Sequence, residues 1–557
     1  MNTVPRLVAS CAAVSLALSP LLVSSAAARD DTDSDQRVTA AVVEPRGSLP
    51  GGFEHLVVIY EENHSFDNLY GHWGAVNGQS VNGLGRATLG RTIQVAQDGT
   101  PFTCLRQTDV NLKSPEPLKT RCMDPAQGVP ESHFINLPFT IDDYITPSDT
   151  TCPKPGEIKT NGTPRGSGNP GGCTRDLVHR FYQEQYQLNG GNMNRYVTGS
   201  DAVGLTMGTY RTEQLPIYRY LHSEGAPNYV VADHFFQAAY GGSFLNHQWL
   251  IAARSPLDTS QFSALGAENS VLDDNGMVAK NYPLYTPTRP DVVDGHLTAS
   301  CPGSTTLDDA GRACGDFAVN TVQPSSEPFN HPANGKLPDQ IPLIDDTRFP
   351  NIGDRMTEAG ISWAWYAGKW NAVNADPARA PLFQYHHQPF NYFANYAEGA
   401  PGRSHLLDEN LFVKAAQKGV LPRVSFVKPY ALENEHPGYA SEPNGSDHLV
   451  TLLRAIDEGP QADSTLVVVT YDEFGGQWDH VPPPGLGTSG VHDAWGPGTR
   501  IPALVISKAF EKSGVDHRSY DTTSILAMIE RSFRLRPLSS RDALVNSLGH
   551  AVRVGGR

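Results

Sequence analysis

The sequence has no long apolar run after its first 28 residues, and basic side chains are scarce in it. A membrane-spanning helix needs about 20 apolar residues, and even the N-terminal stretch is interrupted at Ser19 and Pro20. We therefore expect no transmembrane segment. Lys and Arg number 43 against 59 Asp and Glu, which gives a formal net charge of −16. This balance disfavours nucleic acid as a partner, because such sites need dense Lys and Arg.

The N-terminus has the composition of a secretory signal. Arg6 precedes an apolar stretch that ends in small residues at Ala28, and this order is typical of a cleaved signal peptide. We predict a signal peptide over residues 1–28, an exported protein that is secreted or periplasmic, and a flexible lead-in over 29–50. Residues 51–550 are predicted to form a single domain with loop-rich insertions at about 78–175 and 255–345. The number of subunits cannot be predicted.

Cysteine is also scarce, and no C-x-x-C spacing occurs, which disfavours a zinc site. Cys11 lies too early in the apolar region to favour a lipid anchor. Six cysteines remain, and an even number in an exported chain favours disulfides. The simplest of the fifteen connectivities joins neighbours, and each pair would staple a loop-rich insertion: Cys104–Cys122, Cys152–Cys173 and Cys301–Cys314.

Short apolar runs alternate with helical patterns over most of the chain. The predicted strands cover residues 55–60, 228–233, 361–367, 423–430 and 465–471, with another in RIPALVISKAF. The predicted helices cover 176–197, 215–225, 351–359, 410–419, 446–459 with Ser446 as cap, and 523–533 as the last. This alternation predicts an α/β fold with a mainly parallel sheet covered by helices on both faces.

Two of the predicted strands end in acidic and amide side chains. Glu61, Glu62 and Asn63 follow one strand, and Asp472 and Glu473 follow another. In open α/β sheets, ligands bind beyond the carboxyl ends of the strands. Oxygen ligands from two strand ends suit a hard divalent cation. The pattern predicts a metal-assisted hydrolase, although it does not identify the metal.

Ser243 is the candidate nucleophile. It follows Gly241-Gly242 and begins a predicted helix, where free backbone N–H groups favour an anion such as phosphate. A serine hydroxyl is a weak nucleophile, so it needs a base or a metal ion to lower its pKa. The alternative is an ordinary serine at a helix N-cap.

Several histidines lie in or near predicted loops, where acid–base and anion-binding groups are needed. His179 lies on a predicted helix, whereas the others lie in QYHHQPF, ENEHPGY and WDHVPPP: His386, His387, His436 and His480. For any one of them, a structural role is the alternative.

Four motifs together resemble the bacterial phosphoesterase family, which unites secreted acid phosphatases with non-zinc phospholipases C in the alkaline-phosphatase-like superfold. They are E-N-H-S-F-D at 62–67, G-G-S-F-L-N-H at 241–247, E-H-P at 435–437 and Y-D-E-x-G-G-x-x-D-H-V-x-P-P at 471–484. The resemblance extends from about residue 53 to 545. The first and last motifs together are quite specific, whereas either alone would be weak.

The resemblance implies a role for each matching residue. One divalent metal ion would be held by Glu62, Asn63, Asp472, Glu473 and the hydroxyl of Ser243. Ser243 would be the nucleophile. Four histidines would surround the phosphoryl group, one of them protonating the leaving alcohol: His179, His386, His387 and His436. Asp479 and His480 would support the site, and Glu61 has no assigned role. Imidazolium for phosphate binding would be abundant at mildly acid pH.

The substrates implied are small phosphate esters or phospholipid head groups. The phospholipase branch has a threonine nucleophile in T-x-P-N-R and favours E-N-R, whereas this chain has Ser243 and E-N-H. These departures favour an acid phosphatase that acts through a phosphoserine. A sulfatase sequence C/S-x-P-x-R is absent.

Two alternatives stay open: a phospholipase C-type phosphodiesterase, and a phosphate-binding protein without turnover. In a phospholipase, five aromatic side chains could cage a choline, or they could belong to the core: Trp249, Trp363, Trp365, Tyr366 and Trp478.

Overall fold

The computed structural model describes residues 47–106, 118–154, 157, 159, 162–200, 205–255 and 343–557. The predicted signal peptide, most of the predicted lead-in and most of the second insertion lie outside these ranges, as do Cys301 and Cys314. Within them, no helix combines the length and the apolar character that crossing a membrane requires.

The core of the fold is an eight-stranded sheet. Its strands in chain order are β1 (His55–Glu61), β2 (Asn228–Ala232), β3 (Trp363–Ala367), β4 (Leu406–Asp408), β5 (Val424–Lys428), β6 (Thr465–Tyr471), β7 (Ala503–Ser507) and β8 (Gly514–Asp516). Their order across the sheet is β4-β3-β5-β1-β6-β7-β2-β8. Every residue of β1, β5 and β6 is buried, as expected for strands covered on both faces.

The sheet is mainly parallel, as predicted. Only β7 runs antiparallel, between β6 and β2. The central strands β1 and β6 pair in register from His55 with Thr465 to Glu61 with Tyr471. Strand β5 pairs with the other side of β1, with Val427 opposite Ile59. The carboxyl ends of β5, β1 and β6 therefore lie side by side at one edge of the sheet.

Twelve α-helices flank the sheet in the part of the chain that is described. They are α1 (Phe66–Tyr70), α2 (Leu89–Thr92), α3 (Phe181–Leu188), α4 (Pro216–Leu221), α5 (Ser243–Ala252), α6 (Ile352–Glu358), α7 (Trp370–Ala375), α8 (Glu409–Lys418), α9 (Glu442–Asp457), α10 (Thr523–Phe533), α11 (Ser540–Leu544) and α12 (Gly549–Val554). The predicted helices at 215–225, 351–359, 410–419 and 523–533 are confirmed to within a few residues.

Three predictions about helices are wrong. The predicted helix 176–197 is α-helical only over α3, and Leu177 and Val178 lie in an irregular segment that comes close to Gly476. Helix α9 begins at Glu442 with Ser441 as its cap; Ser446 lies inside the helix and its hydroxyl accepts the Ile217 N–H at 2.9 Å. Helix α10 is not the last, since α11 and α12 follow it.

The first insertion contains short strands and 3₁₀ turns, including a two-stranded ladder between Cys122–Asp124 and Val129–Ser132. Two of the predicted disulfides, Cys104–Cys122 and Cys152–Cys173, are confirmed. Each of these bonds closes a loop within the first insertion.

Candidate functional site

The acidic residues after β1 and β6 meet at the edge of the sheet. Because Glu61 pairs with Tyr471, the next residues, Glu62 and Asp472, leave adjacent strand ends. The Asn63 N–H donates to Oδ1 of Asp472 at 3.1 Å. Asn63 has a φ of 60°, a left-handed conformation that Asn tolerates better than most residues. The four predicted ligands after these strands are fully buried: Glu62, Asn63, Asp472 and Glu473.

Ser243 lies at the same place. It is the first residue of α5, as predicted, and it is 5% exposed. The preceding turn needs Gly241, whose φ is 89° and where a Cβ would lie 2.8 Å from the Phe181 nitrogen. The Oγ atom of Ser243 lies 3.3 Å from Oδ1 of Asn63 and 3.4 Å from Oε1 of Glu473. The structure thus brings the predicted nucleophile together with the predicted metal ligands.

Glu62 is surrounded by cationic and imidazole groups. Its Oε1 atom lies 2.7 Å from both Nζ of Lys428 and Nε2 of His387. Nε2 of His386 lies 3.7 Å from Oε1, and Nε2 of His436 lies 3.7 Å from Oε2. Burial acts to raise the pKa of Glu62, but Lys428 and His387 outweigh it and hold the pKa well below its usual value.

Three histidines of the site are oriented by backbone carbonyls. In each, Nδ1 lies within hydrogen-bond distance of a nearby oxygen: His179 with Leu177 (2.6 Å), His436 with Pro437 (2.6 Å) and His247 with Ser243 (2.8 Å). A carbonyl can only accept, so we assign the proton to Nδ1 in each ring. Nε2 of each ring therefore carries a lone pair, and that of His179 lies 3.5 Å from Oε1 of Glu473.

Burial keeps the imidazoles of the site neutral. It lowers the pKa of His179 and of His436 to about 4 and that of His387 to about 3. The expectation of abundant imidazolium at mildly acid pH therefore does not hold for the site without substrate. A bound phosphoryl group would raise these pKa values, because a nearby negative charge favours the protonated ring.

If all the carboxylates of the site were ionised, their negative charge would exceed the positive charge of the protein groups around them. Burial, followed by repulsion from Glu62, raises the pKa of Asp472 to about 8. Burial and the charge of Asp472 raise the pKa of Glu473 well above its usual value. Oδ2 of Asp472 is buried, and none of the described residues offers it a donor in hydrogen-bonding geometry. Crowded buried oxygens with an orphaned acceptor fit a divalent cation held by these residues.

Asp479 and His480 belong to a neighbouring network in which the positive charge comes from a guanidinium group. The guanidinium of Arg500 contacts Asp479 at 3.1 Å and Asp67 at 3.0 Å. Nδ1 of His480 lies 2.5 Å from the other oxygen of Asp67. The Asp67 N–H also donates to Asp479 at 3.0 Å. This network ties the segment after β1 to the segment after β6, which supports the role inferred for Asp479 and His480.

Two residues of the site were missed by the sequence reasoning. Lys428 is the last residue of β5. The feature of the sequence that could have identified it is a charged residue within the apolar run RVSFVKPY. His247 lies one helical turn after Ser243, so both face the same side of α5, and its Nε2 is buried without a partner in the described chain. Glu61, to which no role was assigned, is buried inside β1; burial, followed by the charge of Glu435, raises its pKa well above its usual value.

Comparison with known proteins places this geometry in a family. The family described as "Phosphoesterase family" matches residues 53–536. Phospholipase C B of Mycobacterium tuberculosis is 24% identical over 538 residues, which cover 90% of this chain and 78% of the relative. Non-hemolytic phospholipase C of Burkholderia pseudomallei is 27% identical over 227 residues, 33% of this chain and 32% of the relative.

Likeness to solved structures is weak. A protein in the alkaline phosphatase superfamily from Vibrio parahaemolyticus matches with a TM-score of 0.20 and 17% identity, covering 35% of this chain and 50% of that one. The 2-O GAG sulfatase BT1596 matches with a TM-score of 0.27 and 10% identity, covering 63% and 71%. The family match, by contrast, spans nearly the whole described domain: the chain belongs to the phosphoesterase family.

Proposed function

We propose that this protein hydrolyses phosphoric esters with Ser243 as the nucleophile. The observation that carries the proposal is the position of Ser243 Oγ, at the N-terminus of α5 and within 3.4 Å of oxygens of Asn63 and Glu473. A phosphoryl group placed there would face the free N–H groups of the helix. The same hydroxyl would lie in contact with the oxygens proposed to hold the metal ion.

The reaction has two displacements. The Ser243 hydroxyl releases its proton to solvent and its Oγ atom forms a bond to phosphorus while the ester P–O bond breaks. The leaving alkoxide takes a proton from a histidine of the site. Water then attacks the phosphoserine and releases the phosphate with the serine hydroxyl restored. A divalent ion held by Glu62, Asn63, Asp472 and Glu473 would supply positive charge that lowers the pKa of the serine hydroxyl.

The histidines supply the remaining polar contacts to the phosphoryl group. His179, His386, His387 and His436 converge on the carboxylates from separate segments of the chain. His179 is the most exposed of the four, with 15% of its side chain accessible, which suits a group that must exchange protons with a leaving alcohol and with water. We therefore propose His179 as the general acid, with its Nε2 atom protonated when the phosphoryl group is bound.

The substrate class depends on which observation is given more weight. The relatives carry the name phospholipase C, which favours the phosphodiesterase alternative over the monoesterase expected from the sequence. Ser243 in place of threonine still favours monoesters. The burial of the five aromatic side chains supports a place in the core over a choline cage, since each is at most 3% exposed: Trp249, Trp363, Trp365, Tyr366 and Trp478.

Initial rates on two esters separate these classes. The mature protein is assayed with p-nitrophenyl phosphate and with p-nitrophenyl phosphocholine from pH 4 to 9. Ser243→Ala is the blank and Ser404→Ala, at an exposed serine, is the matched control. Diester preference would establish the phospholipase branch, and monoester preference the phosphatase branch. Unchanged turnover in Ser243→Ala would refute the proposal for both, and phosphate binding without turnover would favour a non-catalytic protein.

We also propose that the reaction takes place outside the cytoplasm. The disulfides Cys104–Cys122 and Cys152–Cys173 support export, because such bonds persist in oxidising compartments. Mass spectrometry of the protein recovered from the expressing culture tests this: cleavage after Ala28 is expected, and an intact N-terminus in the cytoplasmic fraction would contradict it.

A further inference from the structure

A second group of potential metal ligands lies where α8, α9 and the turn Ala431–Glu433 meet. Glu409 is the first residue of α8, His448 is on α9, and Glu433 ends the turn. Nε2 of His448 lies 2.8 Å from Oε1 of Glu409. One ligand atom from each of the three residues lies within 4.8 Å of the other two. Three separate elements therefore contribute one potential ligand each to the same small volume.

The carboxylate of Glu409 lacks a partner on one side. The residue is 7% exposed, and its Oε2 atom is buried without a hydrogen-bond partner among the described residues. Leaving a buried carboxylate oxygen unsatisfied is costly. Because Oε1 of the same carboxylate already contacts His448, Oε2 is an oxygen that is still available to a ligand.

The local charge also favours a cation. Three carboxylates lie near one another, since the negative charges of Glu433 and Asp408 both raise the pKa of Glu409. His448 opposes them, and the ammonium of Lys369 acts on His448 in turn. When a metal binds, the imidazole is neutral and the ion takes over the positive charge.

We propose that Glu409, Glu433 and His448 bind a divalent metal ion, with zinc as the best match. One imidazole nitrogen and two carboxylate oxygens form a ligand set that zinc accepts, with water in the fourth position. Ligand atoms at about 2.0–2.2 Å from a tetrahedral ion lie about 3.3–3.6 Å from one another, which is closer than the 4.8 Å limit within which the three ligand atoms lie here. Glu433 can close that gap because it is only half-buried, whereas Glu409 and His448 are already in contact.

The site is separate from the proposed phosphoester site and does not depend on it. A bound ion would fix the turn Ala431–Glu433 to α8 and α9. That turn precedes His436 by three residues, so the ion would stabilise the segment that carries this histidine. The expected role is structural, with an effect on unfolding temperature and only a secondary effect on turnover.

The test is a titration of the full mature chain with Co²⁺, followed by visible absorption and equilibrium dialysis. Glu433→Gln removes a half-buried ligand. Glu458→Gln makes the same change of charge at an exposed position just beyond α9 and is the matched control. Asp472→Asn provides a background in which the phosphoester site is impaired. Circular dichroism checks that each variant is folded.

In the Asp472→Asn background we expect one bound ion per chain. Adding Glu433→Gln should abolish its binding or weaken the affinity at least tenfold, whereas adding Glu458→Gln should leave the affinity unchanged. His448→Gln should reproduce the loss and also remove the absorption due to nitrogen ligation. Equal binding by Glu433→Gln and Glu458→Gln chains would overturn the proposal. If Asp472→Asn leaves the number of bound ions unchanged, the ligand set at the phosphoester site is wrong, while loss in Glu433→Gln would still establish the second site.

Discussion

The ammonium nitrogen of Lys428 lies 2.7 Å from Oε1 of Glu62, and both side chains are fully buried. The same nitrogen donates to the Tyr60 carbonyl oxygen at 2.9 Å, so its position is fixed by the backbone of β1. Lys428 neutralises one of the buried carboxylates of the site and keeps Glu62 ionised. An ionised Glu62 is the form that can hold a metal ion.

Replacing Lys428 with methionine tests this relationship. The change leaves a buried carboxylate without its fixed cation, which costs about 3–5 kcal/mol in unfolding free energy. Loss of an outer-shell partner also lowers metal affinity or activity by about 10–100-fold. Urea denaturation and rate measurements check both effects. Lys414→Met, at an exposed position on α8, should change neither, and a fully active Lys428→Met would contradict the role.

Removing the divalent ion should abolish activity and destabilise the protein. Without it, the buried carboxylates of Asp472 and Glu473 lose the cation that opposes their repulsion. An ion present at 100 times its Kd contributes about 2.7 kcal/mol, so chelation should lower the unfolding temperature. The measurement is activity and thermal unfolding with EDTA, with EDTA pre-saturated by the same metal as control. Full turnover by protein shown to be metal-free would exclude the proposed metal site.

Stability should fall as pH rises because of Glu530. Burial, followed by the neighbouring Asp542, raises the pKa of Glu530 to about 9 from an unfolded value near 4.5. The folded state therefore binds the proton more tightly, so the stabilisation is complete below about pH 4.5 and is lost as pH approaches 9.

Glu530→Gln should remove this dependence, since the amide does not ionise. We expect wild type to lose about 5 kcal/mol of unfolding free energy relative to the variant between pH 5 and 9, because each pKa unit corresponds to about 1.4 kcal/mol. Urea denaturation across this pH range measures the difference. Glu224→Gln, at an exposed position, should follow wild type; parallel curves for Glu530→Gln and wild type would refute the prediction.

Arg500 should be needed for the stability of the loops that carry the site. It is fully buried and pairs with Asp67 and Asp479. Arg500→Met leaves these two carboxylates without their guanidinium, at a cost of about 3–5 kcal/mol. Chemical denaturation should show this loss, and Arg536→Met, at an exposed arginine, should show little. Equal stability of the two variants would mean that the ion pairs of Arg500 do not stabilise these loops.

The parts of the site that follow strands could be predicted from the sequence. Buried parallel strands have a strong apolar signature, and their carboxyl ends share one edge, so Glu62 and Asp472 could be placed together before the structure was known. Ser243 at the start of α5 followed from the glycines before it and the helical pattern after it.

What could not be predicted depends on contacts between distant segments. His179 was predicted on a helix, but it lies in an irregular segment next to Leu177 and Val178, which come close to Gly476. Its Nε2 atom lies 3.5 Å from Oε1 of Glu473. Lys428 pairs with a residue more than 360 positions away, and a lysine in a strand carries no signal for its partner. The neutral state of the histidines is a consequence of burial, which the sequence does not contain.

Acid quenching of the reaction shows whether Ser243 carries the phosphoryl group during turnover. The protein is mixed with the better of the two p-nitrophenyl esters, quenched within the first turnovers, digested and examined by mass spectrometry. We expect a phosphoryl adduct, or a substituted one from the diester, on the peptide that contains Ser243. Turnover with no adduct on any residue under these conditions, or an adduct on a histidine, would contradict it.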